Sequence, residues 1–136
     1  MKRPPVVLFV CVHNAGRSQM AAAFARRLGG ERVTVLTGGS DPAEAVHPAV
    51  AVAMMEEGLD LAGERPRRFA DADVLAADVV VTMGCGDACP IFPGRRYEDW
   101  KVADPAGQPL GPVRAVRDAI RGRVSDLLLS LGVDPA

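Results

Sequence analysis

Eight consecutive residues of this chain are equipped for chemistry: Cys11, Val12, His13, Asn14, Ala15, Gly16, Arg17 and Ser18. The pattern is a cysteine, five residues, an arginine and a serine. Consecutive backbone N–H groups in such a loop turn inward and make a concave anion site. Gly16 permits a backbone shape that a Cβ would oppose. The planar fork of Arg17 matches two oxygens of a tetrahedral oxyanion. Positive surroundings favour the thiolate form of Cys11, which is the nucleophilic form. Ser18 is placed to donate its hydroxyl to that sulfur. The stretch reads as a nucleophile inside an oxyanion cradle, with Val12 to Ser18 binding the substrate. His13 is expected to shape the loop through a backbone contact. Asn14 is expected to hold it by hydrogen bonds, because asparagine tolerates left-handed backbone angles. A free cysteine is also common as a plain buried residue. The spacing alone recurs by chance, so the flanking elements must decide.

Two more cysteines, Cys85 and Cys89, lie in the segment MGCGDACP. Zinc is disfavoured there, since a structural site wants four ligands and short C-x2-C knuckles are absent. His13 and His47 are the only histidines that could complete one. Idle thiols between glycines would be a chemical liability. A redox pair is the preferred reading, because a separation of four residues is within reach of a disulfide. Asp104-Pro105 reads in isolation as a turn. Beside an oxyanion cradle, Asp104 gains a use as the acid that protonates a leaving oxygen.

Positioning these groups requires strand ends and helix starts. Residues 6–10 (VVLFV) read as a buried strand and residues 19–28 as a helix. Cys11 then ends the strand and Arg17 begins the helix, which adds unpaired N–H groups and partial positive charge. Further strands are expected over 33–37, 78–83 and 97–100. Gly38-Gly39 should close the second. Helices are expected over 47–58, 71–76 and 111–131, with Met54 and Met55 on or near a core face. A long loop should cover 84–96. Alternating strands and helices imply a parallel sheet covered on both faces, with ligands beyond the carboxyl ends of the strands. The fold expected is α/β: a three-layer, doubly wound sheet of four parallel strands.

The totals set outer limits. A chain of 136 residues fits one domain, 1–136. A net charge of −1 asks for neither nucleic acid nor an anionic membrane surface. No apolar run approaches the ~20 residues of a membrane span. The basic start MKRPP precedes only a short apolar run, so no secretory leader is expected. Three cysteines are too few for a disulfide scaffold and point to thiol chemistry in a reducing, cytoplasmic setting. Arg65, Arg67 and Arg68 read as a solvated face.

With these residues in view the chain resembles the arsenate reductases of the low-molecular-weight tyrosine-phosphatase superfamily. The resemblance rests on VLFVCVHNAGRSQMA, VVVTMGCGDACP, RYEDW, DPAG and VRAVRDAIRGRV, spread over most of the chain. It implies that arsenate docks in the loop, Cys11 attacks arsenic and Asp104 protonates the departing oxygen. It further implies that Cys85 and then Cys89 relay the oxidation, leaving a Cys85–Cys89 disulfide for thioredoxin. No metal or organic cofactor is implied. Ala106 and Gly107 stand where phosphatases of the superfamily usually carry aromatic residues. Two departures are plain. Only three residues separate the distal cysteines, fewer than in the better-known thioredoxin-coupled members. Ala22 stands where several members carry a potassium-binding glutamate. The alternatives are a reductase resolved by mycothiol and mycoredoxin, or a phosphatase. An arsenite-binding sensor ranks last, since no basic recognition helix is present.

Overall fold

The protein is described from a computed structural model, which covers residues 3–86, 89 and 94–135. The elements run β1 (Val6–Cys11), α1 (Arg17–Gly29), a short 3-10 turn (Gly30–Arg32), β2 (Thr34–Gly39), α2 (Pro48–Met55), α3 (Asp71–Ala76), β3 (Val79–Met83), β4 (Arg96–Asp99) and α4 (Leu110–Ser130). The strands form one parallel sheet in the order β2-β1-β3-β4. The order reverses between β1 and β3, which is where ligands of such sheets bind.

Period-two alternation divides the sheet into unequal faces. Val7, Phe9, Val79, Val81 and Met83 face α1, α2 and α4 and build the main core. α1 buries Met20, Ala21, Phe24, Ala25 and Leu28 there, a helical stripe of apolar residues. Leu8, Val10 and Val80 face the other way and meet Val74 of α3 in a smaller cluster. Each such side chain contributes about 1.5–3 kcal/mol on burial, so the α3 layer is the thinner clamp. No helix among the described residues is long and apolar enough to cross a membrane.

Register sets the site. Cys11 pairs with Gly39 on one side and Met83 on the other. The loops after β1, β2 and β3 therefore leave the sheet side by side.

The expected elements are all present, with differences at their ends that have physical causes. α1 begins at Arg17 rather than residue 19, so the loop passes straight into the helix. Gly38 and Gly39 belong to β2 instead of closing it. A Cβ on Gly38 would lie 2.7 Å from the Phe69 backbone, and one on Gly39 2.6 Å from the Val12 carbonyl oxygen. α2 stops at Met55, which is 52% exposed and so off the core, while Met54 is fully buried. β4 ends at Asp99, and Trp100 follows it, buried against Phe9 with ring centroids 5.8 Å apart. The loop expected over 84–96 lies in part outside the described residues, at 87–88 and 90–93.

Candidate active site

The loop after β1 turns every carbonyl outward. The oxygen of Cys11 accepts from Ser40 N, Val12 from Asp41 N, His13 from Ala43 N and Ala15 from His47 N, at 2.8–3.2 Å. Asn14 O accepts from Gln19 Nε2 and Gly16 O from Met20 N. With the carbonyls taken on the outside, the N–H groups of His13 to Arg17 are left for the inside. None of them has an acceptor among the described residues. Gly16 is the N-cap of α1, and no side chain caps that helix. The arrangement is a nest of amides closed by a helix start, which favours an anion.

Asn14 is the peg of this loop. Its φ is +50°, and it is fully buried. Its Nδ2 donates to Ser18 Oγ at 2.7 Å and Thr37 Oγ1 at 2.8 Å. Its Oδ1 accepts from Gln19 Nε2 and from the Arg67 backbone N–H. Ser18 Oγ in turn lies 2.9 Å from Cys11 Sγ. The chain Thr37–Asn14–Ser18–Cys11 is continuous and buried, which orients the sulfur through neighbours that are themselves fixed. His13 Nδ1 lies 2.9 Å from the Asp41 carbonyl oxygen, a backbone contact on the rim.

Arg17 is 8% exposed. Its Nη1 donates to Val102 O at 3.2 Å, and its Nη2 lies 3.7 Å from Asp104 Oδ2. The Asp104 side chain is half exposed, and its Oδ1 accepts from Ala106 N. Pro105 is buried against Gly16, where a Cβ would lie 2.8 Å from the proline Cγ. Asp104 is thereby carried to the same guanidinium that serves the loop.

Cys85 and Cys89 are joined by a disulfide, with Cα atoms 5.1 Å apart. Cys11 is free and buried. Cys85 is buried in the α3-side cluster, whereas Cys11 belongs to the main core. The sulfurs therefore share an edge of the sheet and face opposite sides of it. Gly84, between Met83 and Cys85, lies against the Arg17 guanidinium. Cys89 lines a cleft of about 630 Å³ at the carboxyl ends of β3 and β4, together with Gly84, Gly86, Tyr97, Asp99 and Lys101.

The structure thus brings Cys11, Arg17, Asp104 and the 12–18 loop together, and sets the disulfide beside them. Thr37 and Gln19 also serve the site and carry no sequence motif. Gly39 and Gly84 serve it too, and the glycine pair 38–39 and the Gly84 and Gly86 flanks of Cys85 are their visible signals. No cluster of three or more metal-ligating side chains occurs among the described residues.

Behind the loop, α2 is held at its far end by charge. Glu56 accepts from Arg114 and Arg117 of α4 at 2.6–3.2 Å. The Arg114 hydrogen bonds are the main cause of a Glu56 pKa lowered to about 2; desolvation opposes it and Arg117 adds to it.

A curated protein of Halobacterium salinarum, described as a putative arsenate reductase, is 44% identical over 124 residues, covering 88% of this chain and 87% of its own. A Synechocystis protein described as a glutaredoxin arsenate reductase is 38% identical over 129 residues, covering 92% and 97%. Among solved structures, a thioredoxin-dependent arsenate reductase of Corynebacterium glutamicum superposes with a TM-score of 0.83 at 40% identity. That match covers 95% of this chain, which spans only 62% of the Corynebacterium protein. The sequence profile of low molecular weight phosphotyrosine protein phosphatases matches residues 6–135, so the chain belongs to that family.

Proposed function

We propose that the protein reduces arsenate to arsenite through a three-thiol relay, with thioredoxin as the dithiol that restores it in the reducing cytoplasm. The observation that carries this reading is the Cys85–Cys89 disulfide, attached through Gly84 to the arginine of the oxyanion loop. A phosphatase needs the cradle and the acid but has no use for that pair. The relatives described as arsenate reductases point the same way.

The chemistry follows from the positions. Arsenate enters the nest of N–H groups and takes the Arg17 fork. Ser18 steadies the Cys11 thiolate, which attacks arsenic. Asp104 gives its proton to the departing oxygen, which leaves as water. The Cys85 thiolate attacks Cys11 Sγ, and the electron pair of the S–As bond goes to arsenic, releasing arsenite. Cys89 attacks Cys85 and frees Cys11, which leaves the disulfide seen here. Thioredoxin supplies two electrons and two protons by attack on that disulfide. Cys89, on the open cleft, is the accessible sulfur; Cys85 is buried. Each exchange depends on thiolate character and access. Because Cys85 faces the α3 side in the oxidised form, its attack on Cys11 requires the segment from Gly84 to swing over the sheet edge.

Mass spectrometry of thiol pairing after one equivalent of arsenate tests the reading. The reduced protein should yield one arsenite and one Cys85–Cys89 disulfide, and thioredoxin should return three thiols. A protein left with three thiols and unreacted arsenate would refute it. Turnover only with mycothiol and mycoredoxin would replace thioredoxin as the reductant.

A further inference from the structure

We infer that Gly84 is a positioning residue that links oxyanion affinity at Arg17 to the redox state of the Cys85–Cys89 pair. The inference rests on the reading above in two respects only: the Cys11–Ser18 loop binds a tetrahedral oxyanion, and the pair cycles between disulfide and dithiol.

The contact is close and specific. Gly84 has φ +83°. A Cβ built on it would lie 2.5 Å from Arg17 Nη1, 3.0 Å from Nη2 and 3.1 Å from Cζ. All three are guanidinium atoms, so the Gly84 backbone covers the fork itself and not its aliphatic stem. The remaining sides of the guanidinium are met by Val102 O on Nη1 and by Asp104 on Nη2. Of these three neighbours, only Gly84 is bonded directly to a redox cysteine. Gly86, on the other side of Cys85, has φ +54° and open space where a Cβ would go. The two glycines share a left-handed backbone but differ in what they touch.

In the disulfide form the bond to Cys89 holds Cys85, and Cys85 holds Gly84 over the Nη1 edge of the fork. Reduction by a dithiol adds two electrons and two protons, breaks the S–S bond and removes that tether. Gly84 can then withdraw, and Arg17 offers its full fork. The dithiol form therefore binds oxyanion more tightly, which is the form that must receive arsenate. The oxidised form is kept from holding an oxyanion that it cannot reduce. Coupling of this kind is reciprocal: an oxyanion that favours the dithiol form makes the disulfide easier to reduce.

Calorimetric titration of wild-type protein with inorganic phosphate tests this in the disulfide and dithiol forms. The dithiol form should bind about tenfold more tightly. Saturating phosphate should then raise the midpoint potential of the pair by about 30 mV, the equivalent of a tenfold ratio for two electrons. Gly84→Ala should weaken binding chiefly in the disulfide form, where the added methyl is held against the guanidinium, and so widen the ratio. Gly86→Ala, with the same backbone penalty, should keep the wild-type ratio. Equal affinities in the two wild-type forms would overturn the inference, as would a Gly86→Ala loss matching that of Gly84→Ala. If Gly84→Ala does not fold, the wild-type ratio and the potential shift decide alone. None of these readouts uses arsenate turnover. An intact ratio without turnover would sink the reductase reading and leave the link standing.

Discussion

Two loops leave the same edge of the sheet and are built on opposite plans. The loop from Cys11 to Ser18 is locked: its carbonyls are all bonded outward, and Asn14 ties it to Thr37, Gln19 and the Arg67 backbone. The segment from Gly84 to Cys89 is held by other means. Two glycines at positive φ flank Cys85, a disulfide spans it, and Cys89 N donates to Gly86 O. A site that must recognise a rigid tetrahedron gains from fixed donors, because their orientation costs nothing at the moment of binding. A relay that must visit two partners in turn cannot be fixed in that way. In the relay proposed above, the first loop holds the oxyanion and the second carries its electrons.

The sharpest way to break the contrast is to remove the nucleophile. Cys11→Ser should lower arsenate turnover by roughly a thousandfold or more, since an unactivated hydroxyl replaces a thiolate. Phosphate should still bind to the intact nest of N–H groups. A coupled assay with thioredoxin reads the first effect and calorimetry the second. Retained turnover in Cys11→Ser would assign the chemistry to another group.

Removing a relay thiol should have a smaller and different effect. Cys85→Ser and Cys89→Ser should each cut steady-state turnover by about a hundredfold or more, with at most one turnover per protein. Phosphate affinity of the reduced proteins should match that of reduced wild type. Full multiple turnover by both variants, with thioredoxin as sole reductant, would show that the pair is not the path for electrons.

Asn14→Ala attacks the locked loop directly. It strips Thr37 and the Arg67 N–H of a buried partner and puts alanine at φ +50°. A loss of about 2–3 kcal/mol in urea unfolding is expected from the unsatisfied groups, with weaker phosphate binding. A change under a few tenths of a kcal/mol would mean that the loop holds its shape without the peg.

The two plans were not equally legible in the sequence. The locked loop could be read because its chemistry sits in eight consecutive residues after an apolar run, and local order fixes spacing. Helix α3 runs over 71–76 as expected, since its acidic first turn and flanking breaks are local signals. What escaped depends on partners distant in the chain. Whether a glycine ends a strand or fills it depends on what packs against it, and Gly38 meets Phe69. Met54 and Met55 are equally apolar, and only the position of α4 decides which is buried. The contact of Gly84 with Arg17 joins two loops that no periodicity connects. Cys11 and Cys85 face opposite sides of the sheet because the chain leaves strand geometry at Gly84, with φ +83°; period-two alternation alone would set Cys85 on the side of Met83 and Cys11.

The smallest effect concerns support of the locked loop from behind. Helix α2 is capped at its start by His47, whose N–H holds Ala15 O, and at its end by Glu56, which α4 clamps through Arg114 and Arg117. Glu56 ionises near 4.5 when unpaired and near 2 in the folded protein, chiefly through its Arg114 hydrogen bonds. Between those values the unfolded chain binds the extra proton. The stability from this clamp is therefore complete above about pH 4.5 and is lost as pH falls towards about 2. Glu56→Gln should remove that part of the acid dependence while costing little at neutral pH, because exposed ion pairs contribute little. The small gap between the urea midpoints of the two proteins at neutral pH should close on acidification. Parallel curves down to about pH 2.5 would show that the clamp does not stabilise the fold through its charge. Among the described residues the clamp makes no hydrogen bond or ion pair to the disulfide segment, so the midpoint potential of Cys85–Cys89 should be the same in Glu56→Gln and wild type. A shift there would join the two loops through α2, and the link between them would no longer run through Gly84 alone.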